Sequence, residues 1–273
     1  MEELFKITIL PSCLTRLEFS ALVSIFFLTS VVSVVTGSTS LITVPAMLLF
    51  GIEPKSAVAT NMLALVLMSA GGTLSFRGKG VIDRSRAPFL IIVSFLGSIL
   101  GALALLVVPS QVLPTVVSVL MIAVVLFSVF KPNTGIAPPE KCRTSRGMDI
   151  AGYTAAFILS IYGGFFSGGY ITLLTAIFLV FFGMTFTQAV STTKLVNVVS
   201  SLSATVIFAW LGLVDYRLGI LLGIVMFIGA YIGGHFTLKL NNLWLRRIFM
   251  AAVIALALKI AFHDFLLKTL VGK

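Results

Sequence analysis

Charged side chains are scarce in this sequence. Of its 273 residues, 10% are charged and 59% are hydrophobic, whereas a soluble globular domain carries about a quarter charged residues. This composition excludes a soluble globular domain. Apolar runs follow one another along the chain, and a membrane-spanning helix needs roughly 20 such residues. The sequence therefore predicts an all-α polytopic membrane protein.

The apolar runs fall into two classes of length. Runs long enough to span a membrane lie at about 17–36, 56–76, 87–108, 112–130, 187–211, 218–238 and 244–266. Shorter runs lie at about 40–50, 151–167 and 170–182. Because a helix rises about 1.5 Å per residue, the shorter runs predict segments that cross only part of the bilayer.

Long polar connections are few, and the longest, 131–149, is too short to fold alone. The predicted organisation is an N-terminal segment 1–16, a first transmembrane repeat 17–130, a cytoplasmic linker 131–149, a second repeat 150–268 and a C-terminal tail 269–273. Since no basic domain can fold separately, the net charge of +10 does not indicate nucleic-acid binding. The expected partner is the lipid bilayer.

Cysteine and histidine are equally rare. Cys13 and Cys142 lie outside the recurring motifs, and His235 and His263 have no Cys or carboxylate neighbours at ligand spacing. We therefore expect neither a metal site nor a cofactor. No nucleophile, base and acid occur together, so an intramembrane enzyme is the weaker functional class.

The two halves of the chain repeat one another. A shift of 132 residues, which moves Gly51 onto Gly183, needs no gap over 51–101 and brings matched glycines, threonines and aspartates into register. Asp83 and Asp215 are one such pair. Each precedes a spanning run, as an N-cap residue does. An internal repeat is typical of transporter folds.

Basic residues indicate how the repeats are oriented. Lys and Arg concentrate at 77–86, in the linker and at 239–247, whereas the loops at 51–55, 108–111 and 212–217 hold few. Basic loops mark the cytoplasmic side, which places the loops of Asp83 and Asp215 on opposite faces. The repeats are therefore predicted to be inverted, with about five helical segments each. The protein is expected to lie in the cell (inner) membrane with both termini outside.

Each half also contains a polar, glycine-rich break between its first two segments, TGSTS at 36–40 and SGGY at 167–170. The predicted structure is a broken or short helical hairpin. Irregular backbone at membrane depth is tolerated where it lines a cavity, and a helix that begins there directs unpaired N–H groups at an anion. Close helix packing is the alternative role of these small residues.

Polar residues follow each hairpin, in AVATN at 57–61 and AVSTTK at 189–194. Lys194 has no counterpart, because Met62 stands at the matching position. A buried ammonium is costly and usually functional; the alternative is that Lys194 extends to the cytoplasmic surface. The candidate anion-binding residues are Gly37, Ser38, Thr39, Ser40, Thr60, Asn61, Gly168, Gly169, Thr192, Thr193, Lys194 and Asn197.

These motifs carry a resemblance. GSTSLITVPAMLLFGIEPKSAVATN, the run GGFFSGGYITLLTAIFLVFFGMTFTQAVSTTKLVNVVSSLSA, and the later GLVDYRLG and WLRRIFM resemble the TauE/SafE family of sulfite and organosulfonate exporters. Members usually carry more glycines in the first break, where this chain has Thr36, Ser38 and Thr39 around Gly37. Hydroxyls at these positions are expected to alter substrate preference.

The resemblance implies a transporter of small sulfur-containing anions: sulfite, a sulfonate or a related oxyanion. Export by alternating access around a central site between the two repeats is the predicted function. The alternatives are an anion channel, an ion-coupled uptake permease and an intramembrane enzyme.

Overall fold

The computed structural model describes residues 16–37, 39–112 and 146–239, and this part of the chain is helical without strands. The helices are α1 Arg16–Thr36, α2 Ser40–Leu49, α3 Pro54–Phe76, α4 Ala87–Val107, α5 Arg146–Phe165, α6 Tyr170–Phe182, α7 Phe186–Trp210 and α8 Tyr216–Lys239. Four belong to each predicted repeat. The predicted fifth segments, both cysteines, His263 and Ser38 lie outside the described residues.

The described helices have the character of a membrane protein. Five of them, α1, α3, α4, α7 and α8, are long and apolar enough to cross a bilayer. Large apolar side chains such as Leu28, Phe95 and Ile224 are exposed on the outside of the bundle, as lipid contact requires. The prediction of an all-α polytopic membrane protein is confirmed.

The two short helices lie close to their predicted bounds. α2 has 10 residues and α6 has 13, so they extend about 15 and 20 Å. α5 is longer than its apolar run, because the helix continues through a polar first turn that starts at Arg146. A search for apolar residues does not detect a polar helical turn. The first turn of α5 therefore lies within the segment that was predicted to be the linker.

Local capping explains where several helices begin. Glu53 precedes Pro54 and accepts a 2.8 Å hydrogen bond from the Ser56 N–H. Thr185 and Gln188 form a capping box at the start of α7. Asp215 accepts from the Leu218 N–H at 3.0 Å, which confirms its predicted N-cap role.

Asp83 acts one turn before its helix rather than as the N-cap residue itself. Its Oδ1 accepts from the N–H groups of Ser85 at 3.0 Å and Arg86 at 3.2 Å, and α4 starts at Ala87. Burial alone raises the pKa of Asp83, but hydrogen bonds from Ser85 and Arg86 outweigh it and lower the pKa below its ordinary value of 3.8. The carboxylate therefore stabilises the turn that leads into α4.

Positive-φ glycines fall at equivalent places in the two halves. After a shift of 132 residues the pairs are Gly37 with Gly169, Gly51 with Gly183 and Gly80 with Gly212. A left-handed conformation is accessible to glycine without strain. The chain therefore uses a left-handed glycine at the end of each short helix and in the loop before each fourth helix. At the breaks the match is looser, because Gly169 is the N-cap of α6 whereas Gly37 lies two residues before Thr39, the N-cap of α2.

The halves are interlocked rather than side by side. α4 packs on α5 and α7, and α8 packs on α1 and α3, while α3 and α7 contact each other in the middle. The fourth helix of each half therefore packs against the first and third helices of the other half.

A pair of hydrogen bonds shows the same exchange at the level of side chains. The Asp83 N–H donates to Thr192 Oγ1 at 3.1 Å, and the Asp215 N–H donates to Thr60 Oγ1 at 3.0 Å. Asp83 corresponds to Asp215 and Thr60 to Thr192. The same type of contact therefore occurs twice, and in each case the aspartate of one half bonds the threonine of the other half.

Candidate functional site

The two breaks meet in the interior of the bundle. A Cβ built on Gly37 would lie 2.8 Å from the Thr172 nitrogen and 2.9 Å from Ile171 Cγ2, in the first turn of α6. A Cβ on Gly168 would lie 2.8 Å from Leu41 Cδ2, in the first turn of α2. Each break therefore packs against the start of the short helix in the other half.

Among the described residues, no side chain caps the start of either short helix. Thr39 and Gly169 occupy the N-cap positions of α2 and α6 without a side-chain hydrogen bond to the first turn. In the second break, the hydroxyl of Ser167 is buried and has no hydrogen-bond partner in the described part of the chain. Buried hydroxyls are normally paired. The Ser167 hydroxyl could therefore still form a hydrogen bond with a ligand at the start of α6.

A polar cluster joins the first short helix to α3. Thr43 Oγ1 donates to Asn61 Oδ1 at 2.7 Å, and Asn61 Nδ2 donates to Ser40 Oγ at 2.9 Å. Thr39 Oγ1 contacts Met68 Sδ at 3.5 Å. The structure thus brings the candidate residues Thr39, Ser40 and Asn61 together beside Gly37.

The second half contains the equivalent contact with a different residue. Thr175 Oγ1 donates to Thr193 Oγ1 at 3.3 Å, and these residues correspond to Thr43 and Asn61. The short helix is therefore tied to the following long helix at the same place in both halves. Thr193 offers one hydroxyl where Asn61 offers an amide.

Lys194 lies in the interior of the bundle. The residue is 0% exposed, and its Nζ donates to the Ser33 carbonyl oxygen at 3.1 Å. Its stem passes beside Gly72, where a built Cβ would lie 3.5 Å from the lysine Cδ. The side chain does not reach the surface, and no carboxylate among the described residues forms an ion pair with it.

Asn197 lies one turn after Lys194 on α7 and is also 0% exposed. Its Nδ2 donates to Ser69 Oγ on α3 at 2.6 Å, whereas no described residue donates a hydrogen bond to its Oδ1. Residues three apart share a helix face. Lys194 and Asn197 therefore both face α3, against Gly72 and Ser69.

Thr60 and Thr192 have a different role from the other candidates. Their hydroxyls accept backbone N–H groups of the loops before α8 and α4. The neighbouring Ser191 makes a similar contact, donating to the Val81 carbonyl at 2.8 Å. These hydroxyls join the ends of α3 and α7 to the loops of the opposite half.

A buried hydroxyl cluster between α4 and the second half is absent from the sequence-based candidate set. The Ser160 hydroxyl contacts Ser94 Oγ at 3.0 Å and Tyr170 Oη at 3.1 Å, and the Ser98 and Ser200 hydroxyls share a hydrogen bond. Ser94 and Ser98 are four residues apart on α4, a spacing that places them on one face. That spacing is the signal that could have revealed the cluster.

A charged cluster lies where α4, α5 and α6 come together at one end. The Arg86 guanidinium forms 3.4 Å ion pairs with Asp83 and Asp149 and donates to the Phe182 carbonyl at 3.2 Å. It also lies over the Phe182 ring, 5.3 Å from the centroid. Arg86 thereby links the C-terminus of α6 to the start of α5.

The described residues contain no group of three metal-ligating side chains. His235 is exposed, and its Nδ1 lies 2.9 Å from the Tyr231 carbonyl oxygen of the preceding turn. The polar chemistry in the interior comes from hydroxyls, amides and one ammonium. Such groups suit recognition of a small anion rather than coordination of a metal.

Comparisons with known proteins agree on one family. The family "Sulfite exporter TauE/SafE" matches residues 22–260. "Probable membrane transporter protein ORF9" of Sinorhizobium sp is 28% identical over 234 residues, covering 86% of this chain and 88% of that protein. "Probable membrane transporter protein YfcA" of Escherichia coli K12 is 25% identical, with 84% of each chain covered. No solved structure matches.

Proposed function

The chain belongs to the sulfite exporter TauE/SafE family of membrane transporters, and on that basis we propose that it exports small sulfur-containing anions. Sulfite, a sulfonate or a related oxyanion is the proposed substrate. It binds between the two halves, where the breaks meet, and crosses by alternating access. The proposed setting is the cell (inner) membrane, with both termini outside.

The observation that carries this proposal is the environment of Lys194. Its ammonium is buried with one carbonyl acceptor and without a carboxylate partner among the described residues. An uncompensated buried charge is strongly unfavourable. A bound anion would supply the missing countercharge, so the substrate completes an ion pair that the protein leaves half-formed.

The two helix starts add to the attraction for an anion. Each directs first-turn N–H groups and a partial positive charge towards its break, and no side chain of the described residues caps either one. The unpaired Ser167 hydroxyl is a further donor at the α6 terminus. These neutral donors suit an oxyanion, which accepts several hydrogen bonds at once.

The contact between the breaks favours a carrier over a channel. Gly37 packs directly on Ile171 and Thr172, which leaves no open passage at this point for a hydrated ion. The breaks must separate for an anion to enter, and the reciprocal packing of the halves offers two equivalent ways to do so. Single-channel currents in planar bilayers would support the channel instead.

The membrane potential is the proposed driving force. Among the described residues, the buried polar side chains include no carboxylate, so the group that commonly carries a coupled proton or sodium ion is missing from the described core. An inside-negative potential favours the exit of a monoanion by about 2.3 kcal/mol per 100 mV. Electrogenic export therefore needs no coupled ion.

The test is flux of sulfite and of sulfonates in proteoliposomes. The potential is set with potassium and valinomycin at two opposite values without a pH gradient, and outward flux is expected to rise as the interior becomes more negative. Flux that ignores the potential but follows a proton or sodium gradient would establish an ion-coupled permease. Turnover of a substrate by the detergent-solubilised protein would establish an enzyme.

A further inference from the structure

One buried polar atom in the site has no role in the anion binding proposed above. Asn197 Oδ1 is an acceptor, it is enclosed in the bundle, and nothing in the described part of the chain donates to it. Leaving a buried amide oxygen unpaired destabilises a protein. An anion cannot satisfy it, because a deprotonated oxyanion offers only acceptors.

The position of this acceptor relative to the ammonium is fixed by α7. Lys194 and Asn197 are three residues apart, so their Cβ atoms lie about 5–6 Å from each other. The Lys194 ammonium donates to Ser33 on α1, while the Asn197 amide is held by Ser69 on α3. The site therefore presents a cation and, one helical turn away, a hydrogen-bond acceptor.

The first half has neither group at the matching positions. Met62 corresponds to Lys194 and Leu65 to Asn197, and both are buried apolar side chains. A well-packed apolar core therefore exists at the equivalent place in the same protein. Retention of an unpaired amide in the second half thus points to a ligand rather than to packing.

We propose that Asn197 Oδ1 determines specificity by accepting a hydrogen bond from the substrate. This inference rests on the proposed function. The substrate it selects is a short sulfonate with a hydroxyl group: the sulfonate pairs with Lys194 and the hydroxyl donates to Asn197. A hydroxyl suits the site better than an ammonium, because a second cation one turn from Lys194 would be repelled.

The physical basis of selection is the cost of an unpaired group. A site built to bond a substrate hydroxyl rejects an analogue without it, since the buried protein atom then stays unpaired. Propanesulfonate has nearly the same size as hydroxyethanesulfonate but lacks the hydroxyl. Burial of apolar surface would favour propanesulfonate, so a preference for the hydroxylated compound cannot come from the hydrophobic effect.

The experiment measures binding of matched sulfonates to the purified full-length protein by titration calorimetry. Hydroxyethanesulfonate, propanesulfonate, ethanesulfonate and sulfite are the probes. We expect hydroxyethanesulfonate to bind at least about tenfold more tightly than propanesulfonate. In Asn197→Leu, which copies Leu65, the ratio should fall to one or below. Thr205→Val removes a different polar group of α7 and should leave the ratio unchanged.

The outcomes separate the two proposals. If anions bind but the two matched sulfonates bind equally, the role of Asn197 is overturned and the proposed function stands. A preference for propanesulfonate also overturns it, and indicates that apolar contacts surround that end of the ligand instead. If none of the probes binds, the proposed function itself fails. Should Asn197→Leu not fold, Asn197→Ala removes the same acceptor with a smaller side chain.

Discussion

The two halves of the molecule share a backbone but differ in the chemistry of their interiors. Paired positive-φ glycines and the reciprocal bonds of Thr60 and Thr192 make the turns and helix ends equivalent. At the face where α3 and α7 meet, however, Met62 and Leu65 stand opposite Lys194 and Asn197 in the alignment of the repeats. Matching turns therefore occur in the two halves although the side chains between α3 and α7 differ.

The hydroxyl cluster extends the same contrast. Ser94, Ser98, Ser160 and Ser200 are buried where α4 packs on the second half. A shift of 132 residues matches Ser94, Ser98 and Ser200 to the apolar residues Met226, Ala230 and Met68, whereas Ser30 lies against Gly229 as Ser160 lies against Gly97. Polar networks restrict the arrangement of the groups they connect, whereas apolar contacts tolerate sliding. The serine hydroxyls therefore join α4 to α5 and α7 through hydrogen bonds that apolar residues at these positions could not form.

The largest expected effect comes from making the second half like the first at Lys194. Lys194→Met should weaken binding of sulfite or sulfonate by about a hundredfold or more, because the countercharge of the anion is lost. Stability should not fall, since a buried charge is replaced by an apolar side chain of similar length. Calorimetric titration and thermal unfolding measure the two properties; unchanged affinity would show that the ammonium serves the fold alone.

The next comparison separates backbone strain from close approach. Gly37→Ala introduces a methyl group 2.8 Å from the Thr172 nitrogen, whereas Gly51→Ala meets nothing within 4 Å, although both glycines have positive φ. A left-handed alanine costs roughly 1–2 kcal/mol, so both variants should lose that stability, and Gly37→Ala should lose more because its methyl group meets the backbone of α6. Transport in proteoliposomes should be abolished only in Gly37→Ala, and equal flux in the two variants would contradict a role of the break in transport.

A smaller effect is expected from the hydroxyl cluster. Tyr170 is the first residue of α6, it is fully buried, and its hydroxyl contacts Ser160. Tyr170→Phe keeps the ring and should reduce the free energy of unfolding by about 1 kcal/mol. Because Ser38 at the matching position lies outside the described residues, the control is Tyr231→Phe on α8. A larger loss from the control would show that the cluster does not hold the second break.

The smallest expected effect is a pH dependence at Asp83. Since the folded pKa lies below 3.8, the contribution of the carboxylate to stability is complete above that pH and is lost as the pH falls through the folded pKa. Native protein should therefore lose stability below about pH 4, whereas Asp83→Asn should lose less over the same interval. Thermal unfolding between pH 3 and pH 7 measures both; parallel curves would assign the acid sensitivity to other groups.

The sequence was sufficient to predict the helices that lie in apolar runs and the places where they break. The runs at 40–50 and 170–182 correspond to α2 and α6 because lipid and a buried core select apolar residues in both. Contacts between helices could not be predicted in the same way. The Ser98–Ser200 bond and the unpaired Asn197 oxygen depend on how each helix is rotated, and the sequence does not specify that rotation.

Thr60 and Thr192 show the same limit of prediction within the candidate site. The repeat identified them as equivalent, but equivalence does not say which direction a side chain faces. Both hydroxyls bond loop backbone in the structure, whereas Lys194 and Asn197, on the same helix as Thr192, lie against α3. Position along a helix was therefore predictable, and the face was not.

The exchange of fourth helices has a consequence for synthesis. α4 belongs to the first half by sequence, but the helices it packs on, α5 and α7, are made later. While the ribosome is still translating the second half, the face of α4 that carries Ser94 and Ser98 must remain in the lipid or beside the insertion machinery without its partners. The first half therefore lacks some of its packing partners until the second half has been synthesised, and neither half can complete its folding alone.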